Sequence, residues 1–420
     1  MRKGTQVLKT QKFLSQRIFF LAVCVLMFST AIYSAQSETI LAVRKITFEG
    51  LKRTRVSAVR HILNVKKGDP WTNEARDLVL RRLKNYGTFR NVSLKETVEG
   101  NFVDLSVHLE DRWTLFPVPI VTTGSGSSYG LGLFERNFFG TQKTAGMLAL
   151  IKEKKPRFFA LYNDPHFLSW DWELTLIGGY RDDIITDFEE EQLSAETLIR
   201  YRFNDFVSVG GGYRYAKVTH KNGEVTPVDG ISHALNLDFL YNRLYFDEDY
   251  VDGLAFNLTY QRELWFSDFS SSLVGLEASL YKKAFFHHTL ALRNILSMSR
   301  NVPYGYAYIL GGKGGRGTLP VKGYDDNEFI ADQVLSGTVE YRIPFYRSRI
   351  FILSAVTFCD YAFFSDKLSS LLSSEFIYSY GLSVRLYLRR LALPAFQLYA
   401  AYVPERDRLD IGLMIGASFR

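Results

Sequence analysis

The side chains that could perform chemistry are few and scattered along the 420-residue chain. Seven histidines and two cysteines form no His-x-x-x-His pair and no cysteine-rich cluster, so the sequence predicts no metal site. The segment Gly312–Gly317 fits a dinucleotide-binding fingerprint, but Pro320 follows it where a helix should begin. With no nucleophile elbow, no phosphate-binding loop and no carboxylate pair suited to acid–base work, we expect neither an enzyme nor a cofactor.

The positive charge of the chain is concentrated at its N-terminus. The net charge is +7, but residues 1–37 carry five basic and no acidic side chains, which leaves 46 basic and 44 acidic residues. A near-neutral body does not support nucleic-acid binding. The uncharged run Ile18–Ala35 and the small residues around it predict a secretory signal peptide over residues 1–37. An uncleaved anchor helix is the alternative, because 18 residues is near the minimum for spanning a bilayer.

Residues 38–115 have the pattern of a small mixed domain. Thr54 is a suitable cap for a first helix, and Thr72 or Asn73 for a second. The predicted elements are a strand at 43–48, helices at 54–63 and 73–86, and strands at 89–97 and 102–110. The order is therefore β-α-α-β-β.

From residue 116 to the end, helical periodicity is replaced by segments of about ten residues in which apolar and polar side chains alternate. The 33 Phe and 25 Tyr suit the aromatic girdles of a membrane barrel. We count sixteen candidate strands, beginning near residues 128, 143, 156, 171, 193, 206, 232, 252, 271, 286, 303, 330, 349, 376, 393 and 409. An even number lets an antiparallel meander close and satisfy its backbone in lipid. The chain is thus predicted to be mainly β, with a sixteen-stranded antiparallel transmembrane barrel after the small domain. A pair of soluble β-sandwiches is the alternative.

Several short motifs occur in order along these two regions. They are Gly68-Asp69 and Gly87-x-Phe89 in the small domain, then Asn137–Gly140, Val321–Tyr324, Gly337–Pro344 and Phe358–Asp360. In this set the chain resembles the BamA/TamA superfamily of outer-membrane assembly and translocation barrels, the bacterial surface antigen type, with a single POTRA domain. The resemblance implies a barrel in the bacterial outer membrane, a POTRA domain in the periplasm, and a sixth extracellular loop carrying Val321–Tyr324.

Strand parity predicts that charges from two of these motifs face the barrel lumen. Glu340 and Asp360 lie at lumen positions of adjacent strands, whereas Cys359 faces lipid. A loop folded into the lumen would bring Lys322 to Asp360 or Glu340 in a charge-assisted contact. The superfamily has arginine in the position of Lys322, so we expect a looser anchorage here. The predicted loop-to-barrel lock consists of Lys322, Gly323, Tyr324, Glu340, Phe358 and Asp360. A solvated loop charge is the alternative for Lys322.

Glycines occur in the predicted first and last strands, which the resemblance implies form a weak seam. Gly130 and Gly132 in the first strand, and Gly412 and Gly416 in the last, would weaken pairing and are predicted to mark this seam. The alternative is that they only permit curvature. The aromatic Phe419 near the C-terminus is typical of the signals by which outer-membrane barrels are recognised.

The resemblance implies that the protein assists the insertion or translocation of polypeptide clients. The POTRA domain would capture a client by β-augmentation, and the seam would open laterally. A two-partner-type secretion transporter and a passive pore or structural barrel are the alternatives. The expected partners are unfolded outer-membrane or secreted polypeptides and the lipid bilayer, and periplasmic chaperones or lipoproteins stay open as further partners.

Overall fold

The computed structural model describes residues 40–122, 128–152, 154–185, 188–223, 228–247, 250–302, 308–312, 318–325, 328–388 and 396–415. The predicted signal peptide at 1–37, Gly416 and Phe419 lie outside the described residues. Within the described ranges, we find no helix with the length and apolar character needed to span a membrane.

Residues 41–111 form a small sheet packed on two helices. The elements are β1 (Leu41–Glu49), α1 (Val56–Leu63), β2 (Pro70–Trp71), α2 (Asn73–Asn85), β3 (Phe89–Glu99) and β4 (Phe102–Asp111). The sheet order is β2-β1-β4-β3, with β1 parallel to β4 and β3 antiparallel to it. One face of each helix and alternate residues of β4 form the apolar core, including Val59, Leu83 and Leu105, each at most 1% exposed. The predicted order of helices and strands is confirmed, with the two-residue β2 added.

The helix caps follow the prediction at α2 but not at α1. The side chain of Thr72 accepts a hydrogen bond from the backbone N–H of Ala75 at 3.2 Å and caps α2. Thr54 does not cap α1, whose N-cap is Arg55. Instead, its hydroxyl donates to Asp111 at 2.5 Å, and Asp111 also accepts the backbone N–H of Arg53 at 2.7 Å. Burial alone would raise the pKa of Asp111, but these hydrogen bonds hold that pKa below its usual value.

The rest of the described chain forms a closed antiparallel barrel. Its spanning strands are β5 (Leu115–Thr122), β6 (Ser128–Phe138), β7 (Lys143–Lys152), β8 (Lys155–Asp164), β9 (Trp172–Ile185), β10 (Phe188–Arg202), β11 (Val207–Lys221), β12 (Gly230–Asn242), β14 (Tyr250–Glu263), β15 (Ser272–Lys283), β16 (Thr289–Arg300), β19 (Gln333–Arg347), β20 (Phe351–Ser365), β21 (Glu375–Leu388), β22 (Phe396–Val403) and β23 (Arg408–Ile415). A short strand, β13 (Tyr245–Asp247), pairs only with the start of β14, because β12 pairs directly with the rest of β14. The barrel closes where β23 lies beside β5. The predicted sixteen-stranded barrel is confirmed.

Two errors in the predicted strand list cancel in the count. The sequence pattern does not predict β5, because Pro117 and Pro119 disfavour a strand with neighbours on both sides. Of the strand predicted near residue 303, the described residues form β17 (Tyr308–Leu310), which lies outside the barrel and pairs with β18 (Phe329–Ala331) in a separate two-stranded sheet. Strand β19 is therefore the twelfth spanning strand, as predicted.

Alternation along the strands separates a lipid face from a polar lumen. On β23, Leu409, Ile411 and Leu413 are 53–68% exposed on the outer face, where lipid covers them. Alternate residues of β22, such as Gln397 and Tyr399, are buried on the inner face. An apolar outside and a polar inside are what a wall between lipid and lumen requires.

Replacing a core valine of the small domain should loosen that domain alone. Val79 is 1% exposed on α2, whereas Val98 on β3 is 54% exposed, so the two give a matched pair. We expect Val79→Ala to lower the unfolding free energy of the domain by about 2 kcal/mol, through lost burial and the cavity left behind. Amide hydrogen exchange of β4 in the full-length protein should then accelerate roughly 30-fold, given 1.4 kcal/mol per tenfold change. Val98→Ala should leave it nearly unchanged, and equal effects would contradict the assigned core.

Candidate functional site

The connection between β16 and β19 packs against the inner wall of the barrel and is held there by a buried ion pair. Nζ of Lys322 lies 2.9 Å from Oδ2 of Asp360, and the backbone N–H of Lys322 donates to the same oxygen at 3.3 Å. The hydroxyl of Thr338 donates to Oδ1 at 2.7 Å. Lys322 is 5% exposed and Asp360 is fully buried. The ammonium group also lies 4.2 Å from the centre of the Phe358 ring, a cation–π contact.

Gly323 and Tyr324 continue this contact toward the last hairpin of the barrel. Gly323 has φ +94°, and a Cβ there would lie 2.6 Å from a methyl carbon of Val403 on β22, so both conformation and space favour glycine. Tyr324 is 4% exposed, and its hydroxyl donates to Glu405 at 3.2 Å. The guanidinium of Arg406 covers the Tyr324 ring at 4.7 Å.

Two further ion pairs join the same loop to the turn between β22 and β23. Arg406 pairs with Glu328, and Arg408 lies 3.3 Å from Asp325. Sequence reasoning missed these contacts, although the run Glu405–Arg408 of alternating charge is visible in the sequence. Partly exposed pairs contribute little singly. Together with Tyr324, however, they connect the loop to the hairpin that carries the last strand.

Glu340 belongs to a neighbouring lumen network and makes its hydrogen bonds outside the loop. Its carboxylate lies 2.7 Å from Arg342 and 3.0 Å from Arg385. Arg385 on β21 is fully buried and also donates to Gln397 on β22 at 3.2 Å. Sequence reasoning missed Arg385, although its place between the apolar residues Val384 and Leu386 marks a lumen position. Of the two acceptors predicted for Lys322, the structure thus places Asp360 in contact.

The predicted seam glycines are only partly at the seam. Gly412 lies on β23, and a Cβ there would lie 2.3 Å from the hydroxyl of Tyr399, whose ring covers the glycine. Gly130 and Gly132 lie on β6, the second spanning strand, so the prediction is wrong for them. The error follows from missing β5. At Gly130, a Cβ would lie 2.4 Å from the carbonyl oxygen of Ala149, so glycine there permits close approach of β6 and β7.

The backbone ladder shows which edge of β5 carries its prolines. The N–H of Arg136 donates to the carbonyl of Thr114 at 3.1 Å, which makes residues 114 and 136 a hydrogen-bonded antiparallel pair. The register continues without a shift through β5 and β6. Hydrogen-bonded and non-hydrogen-bonded pairs alternate, so Pro117 and Pro119 fall in non-hydrogen-bonded pairs with β6. The backbone nitrogen and carbonyl of each proline therefore point away from β6 and toward β23.

The first strand is consequently short of donors at the seam. The β5 residues whose backbone groups point to β23 are Leu115, Pro117, Pro119 and Val121. Two of these four have no N–H to donate. Both prolines are exposed on the outer face of the barrel.

The small domain is docked on the periplasmic turns of the barrel through the C-terminal end of α2. Arg82 makes a bidentate contact with Asp205, at 2.5 and 2.7 Å, in the turn between β10 and β11. The amide of Asn85 donates to the carbonyl of Leu244 at 2.8 Å and accepts the N–H of Phe246 at 3.0 Å. The contact between the small domain and the barrel is thus polar. Polar contacts of this kind fix the orientation of the domain more than they add to its affinity for the barrel.

The turn between β6 and β7, which contains the Asn137–Gly140 motif, contacts the other side of the small domain. The amide of Asn137 donates to the hydroxyl of Thr54 at 2.7 Å, and the N–H of Arg55 donates to the carbonyl of Gly140 at 2.9 Å. Gly140 has φ +76°, and a Cβ there would lie 2.3 Å from the carbonyl oxygen of Arg53. The motif therefore serves the joint between the domain and the barrel.

A histidine in the next periplasmic turn completes the dock. The hydroxyl of Tyr86 lies 2.7 Å from Nε2 of His166, and the His166 ring stacks on Trp170 with centroids 5.0 Å apart. Burial, followed by the nearby charge of Arg202 and the proximity of His61, lowers the pKa of His166 to about 4. The imidazole ring is therefore uncharged near neutral pH.

Under α2, between the small domain and the barrel mouth, lies a cavity of about 350 Å³. Arg82, Arg202, Trp170 and Phe206 line it with both charged and aromatic surface. Among the described residues, no three side chains of histidine, cysteine, aspartate or glutamate are placed to share a metal ion. The arrangement thus combines a polar barrel mouth, a docked small domain and a seam between the first and last strands.

Comparison with known families agrees with this class of protein, an outer-membrane β-barrel with a periplasmic POTRA domain. Residues 137–393 match the Omp85 superfamily domain, and residues 41–112 match the POTRA family described as a surface antigen variable number repeat. The chain belongs to the Omp85 superfamily. The expected resemblance, the barrel-plus-POTRA fold and the outer-membrane location are thereby confirmed.

Several solved structures share this fold, among them three bacterial outer-membrane proteins. BamA from Haemophilus ducreyi lacking POTRA domains 1–3 is 18% identical, with a TM-score of 0.54, and the alignment covers 90% of this chain and 84% of that one. CdiB from Acinetobacter baumannii is 12% identical, with a TM-score of 0.61 and coverage of 90% and 74%. CdiB from Escherichia coli is 12% identical, with a TM-score of 0.65 and coverage of 89% and 76%. No curated protein sequence matches the chain. The chain is therefore an outer-membrane insertion or translocation barrel, from a superfamily of transporters and assembly factors.

Removing the charge of Lys322 should free the loop without unfolding the barrel. Lys322→Met leaves Asp360 buried and charged without its partner, and breaking such a pair costs about 3 kcal/mol. We expect the loop to detach so that water reaches Asp360, which would raise amide exchange over residues 318–325 about a hundredfold. The heat-modifiable mobility of the barrel on gels should change little, because the strand ladder is intact.

Two further variants make this experiment decisive. Lys322→Met combined with Asp360→Asn removes the unpaired charge and should restore part of the protection. Lys221→Met is the matched control, since Lys221 pairs with Glu191 at 2.8 Å but is 49% exposed. If Lys322→Met is as mild as this control, the buried pair does not hold the loop.

Acidification should weaken the dock of the POTRA domain. The docked domain contributes to the burial that lowers the pKa of His166, because Tyr86 and His61 lie against the ring, so the docked state binds fewer protons than the undocked state as the pH falls below the ordinary value. Docking free energy is therefore lost as the pH falls from neutral toward the lowered pKa of about 4. Distances between spin labels at Val98 and Phe285, in a Cys359→Ser background, would report the release.

His166→Gln provides the control for this pH dependence. Glutamine keeps an acceptor for Tyr86 but does not titrate, so its dock should respond little between pH 7.5 and pH 5. An equal response in both proteins would show that another group senses the pH.

Proposed function

We propose that the protein assists the insertion or translocation of polypeptide clients through the seam between β5 and β23, which opens laterally. The observation that carries this proposal is the pair of prolines on the seam edge of β5, which removes two of four backbone donors. Each absent hydrogen bond forgoes about 1 kcal/mol. The cost is larger in lipid, where a carbonyl on β23 finds no water as a substitute. The closed seam is thus weaker than a fully bonded pair of strands.

The two sides of the seam are anchored to different parts of the molecule, which supports their separation. On one side, the hairpin of β22 and β23 is tied to the loop through Tyr324 and Glu405, and the loop is tied to the wall through Lys322 and Asp360. On the other side, β5 follows β4 of the POTRA domain after three residues. A movement of the POTRA domain would therefore act on β5 while the loop holds β23 in place.

The free edge of the POTRA sheet is suited to receive an extended client segment. Strand β3 is terminal in the sheet order, and it pairs regularly with β4 from Ser93 to Glu99. Val98 is 54% exposed near this edge. Addition of a strand there would capture an unfolded outer-membrane or secreted polypeptide by β-augmentation.

A two-partner-type secretion transporter is the second candidate, because the fold is also similar to that of two CdiB structures, with TM-scores of 0.61 and 0.65. Depletion of the protein, followed by an inventory of outer-membrane and secreted proteins, separates the candidates. Loss of several barrel proteins would support insertion, loss of one secreted protein would support secretion, and no change would support a passive barrel.

A disulfide across the seam should block activity if the seam opens. In a Cys359→Ser background, Leu115→Cys on β5 is combined in turn with Ile411→Cys or Leu413→Cys on β23, and the pair that oxidises is used. We expect client assembly to fall at least tenfold on oxidation and to recover on reduction.

The matched control places a disulfide between two strands that need not separate. Leu237 and Tyr260 are directly paired on β12 and β14, and both are exposed on the lipid face. Oxidised Leu237→Cys/Tyr260→Cys should keep full activity. Full activity of the oxidised seam variant would eliminate lateral opening.

A further inference from the structure

We infer that the extracellular rim of the barrel from β11 to β16 binds a phosphorylated glycolipid of the outer leaflet of the membrane. Strands β11, β12, β14, β15 and β16 are the seventh to eleventh of the sixteen spanning strands, so this rim lies across the barrel from the seam. The inference therefore does not depend on lateral opening.

Strand direction and parity place three basic side chains on the lipid-facing side of this rim. Strand β5 leaves the periplasmic POTRA domain and runs outward, so β11, β14 and β16, which run the same way in the meander, end on the extracellular side. Lys217, Arg262 and Arg300 lie near these ends and are exposed. On their own strands, Lys217 shares the parity of Tyr213 and Arg262 that of Tyr260, both exposed on the outer face.

Arg262 and Arg300 belong to one row of side chains across three strands. Ser272 on β15 is paired with Arg262 on β14 and with Arg300 on β16, so all three side chains point to the same face. Two strand spacings, about 10 Å, separate the backbones of the two arginines. One nitrogen of Arg262 also donates to the carbonyl of Ser270 at 3.2 Å, which holds its guanidinium at the rim.

The charges of these three cations are not neutralised by the protein. Lys221 on the same face pairs with Glu191 at 2.8 Å, whereas the three cations have no carboxylate partner among the residues that the structure describes. The nearby carboxylate of Asp268 accepts the backbone N–H of Ile231 at 2.6 Å. A guanidinium presents a planar fork of donors that matches a phosphate group. A lipid headgroup that carries phosphate would therefore supply the missing negative charge.

An exposed aromatic pair lies beside the arginines, in the loop between β14 and β15. Trp265 is 89% exposed and Phe266 is 52% exposed, and their ring centroids lie 5.3 Å apart. The Phe266 ring packs on His233 of β12 at a centroid distance of 4.9 Å. His233 has the same parity as the exposed Leu235, so the aromatic pair extends from the outer face of the barrel.

A buried carboxylate fixes the loop that carries this pair. Glu263 is 6% exposed and accepts hydrogen bonds from the hydroxyls of Ser232 at 2.9 Å, Ser267 at 2.9 Å and Ser271 at 3.3 Å. The loop thus presents Trp265 on an ordered backbone, and the C–H face of a sugar ring packs well on such an aromatic surface. A phosphorylated glycolipid offers both a phosphate and a sugar, whereas the phosphate of an ordinary glycerophospholipid leaves the tryptophan without a partner.

Native mass spectrometry of the full-length protein, released from micelles that contain added lipid, tests this assignment. The probes are lipid A with two phosphates, lipid A with one phosphate, and phosphatidylglycerol. We expect the wild-type protein to retain the diphosphorylated lipid A at least fivefold better than either other lipid, because both arginines then find a phosphate. Arg262→Gln combined with Arg300→Gln should lower this retention at least tenfold and remove the preference for two phosphates.

The matched control carries the same kind of change at the opposite rim. Lys282, at the periplasmic end of β15, and Arg349, in the periplasmic turn between β19 and β20, are both exposed. Lys282→Gln combined with Arg349→Gln should leave lipid A retention unchanged. Equal retention by the two double variants would overturn the assignment. So would a wild-type protein that retains phosphatidylglycerol as well as lipid A, or that retains none of the three lipids.

Replacement of Trp265 gives a second measurement that leaves the strands and their charges intact. Trp265→Ala should lower the retention of both forms of lipid A about threefold, through the lost aromatic surface, and should keep the preference for two phosphates. Unchanged retention in this variant would overturn the assignment of a glycolipid, because the sugar would then make no contact with the loop.

Discussion

In lipid, every backbone N–H and carbonyl must find its partner within the protein, and the rest of this structure depends on that requirement. A closed barrel meets it by giving each spanning strand two neighbours, from β5 through β23. The same requirement makes the seam important. Two prolines on one edge of the seam leave it incompletely bonded, so the chain has a barrel that is closed all round but weakest where its ends meet. The proposed lateral opening follows from this local shortage of donors.

The buried charges of the lumen lie on β19, β20 and β21, and one loop connects them to the hairpin at the seam. Lys322 and Asp360 are buried together, and Glu340 is shared between Arg342 and Arg385. Buried charges are costly unless they are paired, so each pair favours one position of the loop or wall over all others. The loop that is positioned in this way reaches the hairpin of β22 and β23. The loop therefore connects the buried Lys322–Asp360 pair to the hairpin that carries β23.

At the periplasmic side, the POTRA domain is held by polar contacts, mainly through the end of α2 and the turns of the barrel. A polar dock of this kind can exchange its hydrogen bonds for water, whereas a large apolar interface could not. Since β5 follows directly from β4, the domain and the seam are covalently coupled. The neutral His166 stacked in the dock adds a group whose protonation opposes docking.

The local pattern of the chain was enough to predict the barrel, the POTRA domain and the lumen positions of Glu340 and Asp360. Along a strand between lipid and a polar lumen, apolar and polar side chains alternate with a period of two residues. That alternation can be recognised in the sequence. The sequence pattern did not show that Pro117 and Pro119 lie in a strand, that Gly130 and Gly132 lie one strand away from the seam, or that Arg385 reaches Glu340. Those facts depend on which strands become neighbours and in which register, and on which edge each backbone nitrogen faces. Hydrogen bonds between residues far apart in the chain set that register, so only the closed tertiary structure decides it.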